Sequence, residues 1–176
     1  IGIGGFRPHP AASVLANRYG DCKDKATLLA SLLEAAGVAS HYLIVHTARG
    51  NVAPDSPASL YGFNHVVLAV RLPDDVTAEG LPALLVHPRL GRMLVFDPTY
   101  PYAPLGRLPF YLQGNTALLV ADGGGELLAL PMPGPNDNLL DRKGRFTLRA
   151  DGTLEGRVQE TRRGAPADAA RQTLTD

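Results

Sequence analysis

The sequence predicts an α+β fold in which one amphipathic helix near the N-terminus packs on an antiparallel sheet. Three observations carry this. Apolar residues recur at helical spacing from Cys22 to Ala36; the pattern switches to period-two alternation after Gly37; and clusters of Gly, Pro, Asn and Asp separate the alternating runs. With 176 residues, 45% of them hydrophobic, the chain is long enough for one ordinary domain with a core, plus a further piece.

A short helix is expected over Pro10 to Asn17, with Pro10 near its first turn. The main helix follows, from about Cys22 to Ala36. Cys22, Ala26, Leu29, Leu33 and Ala36 fall at spacings of 4, 3, 4 and 3 and so share one face. Asp21 suits its N-cap, Asp24 adds negative charge to the first turn, and Gly37 suits the left-handed position beyond the end. His41 to Thr47 and Asn64 to Leu72 alternate as strands, and shorter apolar runs follow at Ala83 to His87 and Met93 to Asp97. The intervening segments Arg49 to Gly62 and Leu72 to Pro82 read as exposed loops, of a length often put to functional use.

From Asp97 to Pro104 the chain is irregular. Thr116 to Ala121 and Glu126 to Leu130 then flank Asp122-Gly123-Gly124-Gly125 as a hairpin. Residues 131–138, rich in Pro, Gly and Asn, read as a linker. The expected division is therefore a first domain over 1–138 and the start of a β-rich C-terminal domain over 139–176. In the latter, Arg145 to Ala150 and Thr153 to Gln159 surround the hairpin signal Asp151-Gly152. The opening Ile1-Gly2-Ile3-Gly4-Gly5, without Met, reads as the end of a strand in an excised segment.

Composition excludes several classes of function. Seventeen Lys+Arg balance 17 Asp+Glu, so there is no basic excess to attract nucleic acid or an anionic membrane. No apolar run approaches the roughly 20 residues of a membrane-spanning helix. The single cysteine, Cys22, rules out an internal disulfide and multi-cysteine metal sites. His9, His41, His46 and His87 share no metal-ligand spacing, so neither metal nor cofactor is expected.

Cys22 is the residue with the clearest chemistry. It falls in the first turn of the main helix, where unsatisfied backbone N–H groups and the helix dipole favour an anion, and so a thiolate. Lys23 and Lys25 add positive charge nearby, while Asp21 and Asp24 oppose it. The same N–H groups suit an oxyanion hole. Cys22 also lies in register with the apolar face, the place of an inert packing cysteine.

A nucleophilic thiol needs an imidazole base and a third group to orient it. His65 opens a strand directly after the long loop, and Asp97 closes another in Phe96-Asp97-Pro98-Thr99. If those strands pair antiparallel, the two side chains meet across the pair. The stretch from Pro73 to Arg92 between them is longer than a simple hairpin needs. Taken singly, His65 also fits a half-buried strand residue and Asp97 a turn residue before Pro. Tyr100, Tyr102, Phe110 and Tyr111 suit either a substrate groove beside Asp97 or the packing of a long loop.

Tyr19-Gly20-Asp21-Cys22-Lys23-Asp24-Lys25-Ala26-Thr27-Leu28-Leu29, then Phe63-Asn64-His65, then Phe96-Asp97-Pro98-Thr99, resemble the three blocks of the bacterial transglutaminase-like domains. The subgroup resembled is the one in which this domain lies between two β-rich domains. The match covers about residues 6–130, and Gly-Asp-Cys-Lys-Asp-Lys is its most specific block. The resemblance implies a papain-like core with a catalytic triad: Cys22 as nucleophile, His65 as general base and acid, Asp97 as the orienting carboxylate.

For the oxyanion, no Gln stands upstream of Cys22; Asn17, Tyr19 and Asn64 are the weaker candidates for oxyanion or substrate binding. The implied activity is thiol-dependent acyl transfer or amide and peptide hydrolysis on a protein or peptide substrate, through a thioacyl-enzyme. Relatives with such flanking domains are commonly exported, which implies the periplasm or cell envelope, with the cytoplasm as the alternative. Two rival readings stand beside it: a non-catalytic peptide-binding or scaffolding module of a cell-envelope protein, and a redox-sensing cysteine, for which no resolving cysteine is present.

Overall fold

The computed structural model describes residues 5–53, 55–57, 59–78 and 80–175. The strand end expected at the very start of the chain falls largely on residues 1–4, outside the described residues. The described chain is α+β and divides into two compact units, Ile1–Met132 and Pro133–Asp176, with the division inside the segment expected to be a linker. Among the described residues no helix is long and apolar enough to cross a membrane.

The first unit opens with α1 (Ala11–Asn17) and α2 (Cys22–Ala35). Pro10 precedes α1, and Arg18 ends it in the left-handed region at φ 52°. Asp21 caps α2, Ala36 closes it, and Gly37 continues at φ 74°, where a side chain would be strained. Six strands follow: β1 (Ser40–Val45), β2 (His65–Arg71), β3 (Leu84–His87), β4 (Gly91–Phe96), β5 (Thr116–Ala121) and β6 (Gly124–Ala129). They form one antiparallel sheet in the order β3-β4-β2-β1-β5-β6.

Strand alternation divides the sheet into two faces. α2 lies against β2 and β1. On that face Tyr42 donates from its hydroxyl to Thr27 Oγ1 at 3.4 Å, and Leu68 and Ala26 are fully buried. The opposite face carries the main core, with Leu43, Val45, Val67, Val95, Leu112 and Leu119 at its centre. A buried side chain of this size contributes about 1.5–3 kcal/mol of transfer free energy, so the strands are fixed by alternation rather than by propensity.

The long stretch from Pro73 to Arg92 does not separate the His65 and Asp97 strands. It supplies β3, which folds back along the outer edge of β4 and leaves β2 and β4 paired directly. The outermost strands, β3 and β6, are tied at one corner. Glu126 of β6 lies 3.2 Å from His87 Nε2 and 3.3 Å from an Arg89 amine. His87 Nδ1 accepts from the N–H groups of Arg89 and Leu90, so Nε2 carries the proton that reaches Glu126.

The second unit consists of β7 (Leu139–Leu148), β8 (Leu154–Arg163) and α3 (Ala165–Thr175). β7 and β8 pair along their full length, from Leu139↔Arg163 to Leu148↔Leu154. Both strands are longer than the alternating runs seen in the sequence, because Asp141, Arg142 and Lys143 extend an exposed strand without any apolar signal. The terminal helix was not expected. Its start is fixed by Asn138 Oδ1, which accepts from Ala165 N–H at 2.9 Å.

Candidate active site

Local sequence fixes the position of Cys22 before any tertiary contact does. The Asp21 carboxylate accepts from Asp24 N–H at 3.3 Å, and the Asp24 carboxylate accepts from Asp21 N–H at 3.2 Å, a reciprocal capping box. Asp24 is buried and also accepts from His9 N–H at 2.8 Å, with His9 Nδ1 a further 3.1 Å contact. Burial opposes ionisation of Asp24, but the His9 and Asp21 contacts prevail and hold its carboxyl below the usual range. The ammonium of Lys23 pairs with Asp21. Gly20 is required by close approach: a Cβ there would stand 2.6 Å from Asp24 Cβ and 3.1 Å from Val14 Cγ1.

The start of β2 is anchored by Asn64. Its Oδ1 accepts from Thr47 N–H at 2.9 Å, its Nδ2 donates to Thr47 Oγ1 at 3.1 Å, and its own N–H donates to Val45 O. Asn64 therefore clamps the end of β1 to the entry of β2 and sets where His65 begins. At the other strand, the ladder closes on the pair Leu68↔Phe96, and Asp97 follows directly at the end of β4. The start of β2 and the end of β4 thus lie close together, and His65 and Asp97 meet there.

Cys22, His65 and Asp97 form a hydrogen-bonded chain. His65 Nε2 lies 2.7 Å from Asp97 Oδ2, and the Cys22 thiol interacts with the same imidazole. The His65 side chain is 11% exposed and that of Asp97 1%, so the pair is shielded, while Cys22 is only half-buried. The Val66 N–H also reaches the Cys22 sulfur. Register explains why it is free to do so: on the β4 side Val66 would face Pro98, but the ladder ends at Phe96.

The electrostatics follow from these contacts. The His65 hydrogen bond lowers the Cys22 thiol from its ordinary value, against burial; the His65 charge and Val66 N–H assist, and Asp21 opposes. Burial pushes the His65 imidazole down, but Asp97 and Cys22 outweigh it and raise it to about 9. Burial likewise pushes Asp97 up, while His65, Thr99 and Tyr111 together draw it below the usual carboxylate range. Thiolate, imidazolium and carboxylate are thus the mutually favoured states.

Other sequence candidates are placed differently. Asn17 and Tyr19 are exposed, Tyr19 by 62%, and neither side chain is hydrogen-bonded to Cys22, His65 or Asp97. The Asn64 amide is committed to Thr47. Among the described residues the Cys22 and Lys23 N–H groups enter no hydrogen bond, as expected for the first turn of a helix. The aromatic residues beyond Asp97 stack edge to face, Tyr102 on Tyr100, Tyr100 on Tyr111, and Phe110 on Tyr111.

Three features went unseen in the sequence: the Tyr111 hydroxyl, which donates to Asp97 Oδ2; the double hold of Thr99 on Asp97 Oδ1; and the Val66 N–H. Only Thr99, two residues after Asp97, carried a readable turn signal.

A cavity of about 870 Å³ lies between the loop leading to His65 and the β5–β6 hairpin. Asn51, Val52, Leu60, Phe63, Leu118 and Leu127 are among its walls, and among the described residues no charged side chain lines it. No group of three or more His, Cys, Asp or Glu among the described residues is arranged to hold a metal ion. The chain matches no family model, no curated protein and no solved structure.

Proposed function

We propose that the first unit is a transglutaminase-like, papain-like domain that carries out thiol-dependent acyl transfer or amide hydrolysis on a protein or peptide substrate. The observation that supports this best is the continuous chain Cys22–His65–Asp97, with the thiol in the first turn of α2 and the carboxylate shielded behind the imidazole. A packing cysteine has no use for a buried His–Asp pair at its sulfur.

In the proposed reaction the Cys22 thiolate attacks a substrate amide carbonyl and a C–S bond forms. The developing oxyanion is received by the Cys22 and Lys23 N–H groups at the positive end of α2. The His65 imidazolium gives its proton to the leaving nitrogen, the C–N bond breaks, and an amine departs from a thioacyl-enzyme. Water or a second amine then attacks, with neutral His65 taking its proton, and releases an acid or a new amide along with the thiolate. Asp97 holds the imidazole by Nε2 and stabilises its charged form.

The test is iodoacetamide labelling of Cys22 as a function of pH in wild type, His65→Ala and Asp97→Asn, with the modified residue identified by mass spectrometry. The proposal expects an inflection well below the ordinary thiol value of 9.0 in wild type and its loss in His65→Ala. Slow labelling in wild type, indifferent to both substitutions, refutes it and favours a peptide-binding module.

A further inference from the structure

We propose that Tyr111 is a positioning residue for this site: its hydroxyl shares Asp97 Oδ2 with His65 and thereby sets how strongly the carboxylate holds the imidazolium. This rests on the acyl-transfer reading above.

The geometry is that of a fully occupied carboxylate. Asp97 Oδ1 accepts from Thr99 N–H at 2.8 Å and from Thr99 Oγ1–H at 2.7 Å. Oδ2 accepts from Tyr111 O–H at 2.5 Å and from His65 Nε2–H at 2.7 Å. Four donors fill the roughly four lone-pair sites of the group, so its rotamer is fixed from both sides. Asp97 is 4% exposed, and no solvent is needed to complete its shell.

Tyr111 is itself held in place. Its ring meets His65 edge to face, with centroids 6.0 Å apart. Its carbonyl accepts from Asn115 Nδ2 at 2.9 Å, and the same amide donates to His46 O at 2.7 Å, at the end of β1. The adjacent Phe110 carbonyl accepts from Arg49 at 2.9 Å. The segment after Asp97 thus returns to the triad with its hydroxyl aimed at the one oxygen that His65 uses. Burial and the Asp97 charge both push the Tyr111 phenol up, so it remains a donor across any working pH.

A second strong donor on Oδ2 takes up part of the charge that His65 would otherwise receive. The ionisable groups that face this cluster are few. Cys22 approaches from α2, with Asp21 and Lys23 beside it, His65 from β2, and Tyr100 from the segment of Tyr111 itself. Of these, His65 shares Oδ2 with Tyr111, so removal of the Tyr111 hydroxyl leaves the His65 bond to that oxygen in place.

The test is Tyr111→Phe, which keeps the ring and its packing, read by nitrogen-15 NMR titration of the His65 ring in parallel with thermal unfolding. The expected result is an upward displacement of the His65 titration by about half to one pH unit, the size of one released charge-assisted hydrogen bond. An unchanged or lowered titration, whatever the change in unfolding temperature, overturns the proposal and reduces Tyr111 to a packing residue. Failure of the underlying reading shows separately, as wild-type Cys22 labelling that ignores His65→Ala.

Discussion

Replacement of Gly20 by Ala tests whether the turn before Cys22 is set by close packing. The new Cβ would stand 2.6 Å from Asp24 Cβ and 3.1 Å from Val14 Cγ1. Ordinary carbon contacts are about 3.5–4.0 Å, so roughly 1 Å of separation must be found. Asp24 Cβ is fixed to the backbone of α2, and no rotamer change relieves the overlap; the 18–21 segment has to lift from the helix. Overpacking of this kind costs about 1–3 kcal/mol, or roughly 5–10 °C in Tm for a unit of this size.

The same shift moves the first turn that carries Cys22, and a displacement near 1 Å at a reacting centre is worth up to about 100-fold in rate. The assay pairs thermal unfolding with Cys22 alkylation at pH 6. Gly37→Ala serves as control: Gly37 has φ 74° and no atom within 4 Å of an added Cβ, so that variant loses stability through backbone strain alone and keeps its labelling rate. Wild-type Tm together with a wild-type labelling rate in Gly20→Ala would refute the reasoning.

Further outcomes follow from the charges and clamps of the site. His65→Ala should slow Cys22 labelling at pH 6. An ordinary thiol of pKa 9.0 is largely un-ionised there, and full ionisation is offset in part by weaker nucleophilicity, so the loss should be about 10- to 60-fold and vanish above pH 9. In Asp97→Asn the His65 titration should fall from about 9, because burial remains while the carboxylate's share of the upward push is lost; NMR titration measures it. Stability supplied by imidazolium is present below the unfolded value of 6.5 and should be lost in wild type as pH rises through about 9, with that loss displaced downward in the variant. Asn115→Ala should cost about 2–4 kcal/mol in urea unfolding, since the buried amide serves the carbonyls of His46 and Tyr111 and the N–H of Thr116.

What the sequence made legible was local. The spacing of Cys22, Ala26, Leu29 and Leu33, with Asp21 before and Gly37 after, is enough to place α2 within a residue at its end. Alternation in Asn64 to Leu72 and Met93 to Asp97 likewise places His65 and Asp97 at strand ends. What stayed hidden depends on the path of the chain in space. β3 turns a long insertion into an outer strand, and only then do β2 and β4 pair. Tyr111 reaches Asp97 because a 14-residue separation closes on itself, and nothing in Phe110-Tyr111-Leu112 announces it. Val66 is available to sulfur because a ladder stops one pair early, a matter of register rather than residue type. α3 left little trace because its early turns are built of alanines and lack large apolar residues.

The three members of the hydrogen-bonded chain come from a helix start, a strand start and a strand end, and His65 and Asp97 alone are 32 residues apart. The imidazole that does most to lower the thiol lies far from it in sequence. While the chain is being made, or whenever the sheet opens, Cys22 is an ordinary, mostly protonated cysteine that electrophiles and neighbouring proteins can pass unharmed. Reactivity is thereby latched to completion of the first unit, and the rate at which Cys22 is labelled in mildly acid solution reports, molecule by molecule, whether that unit has finished folding.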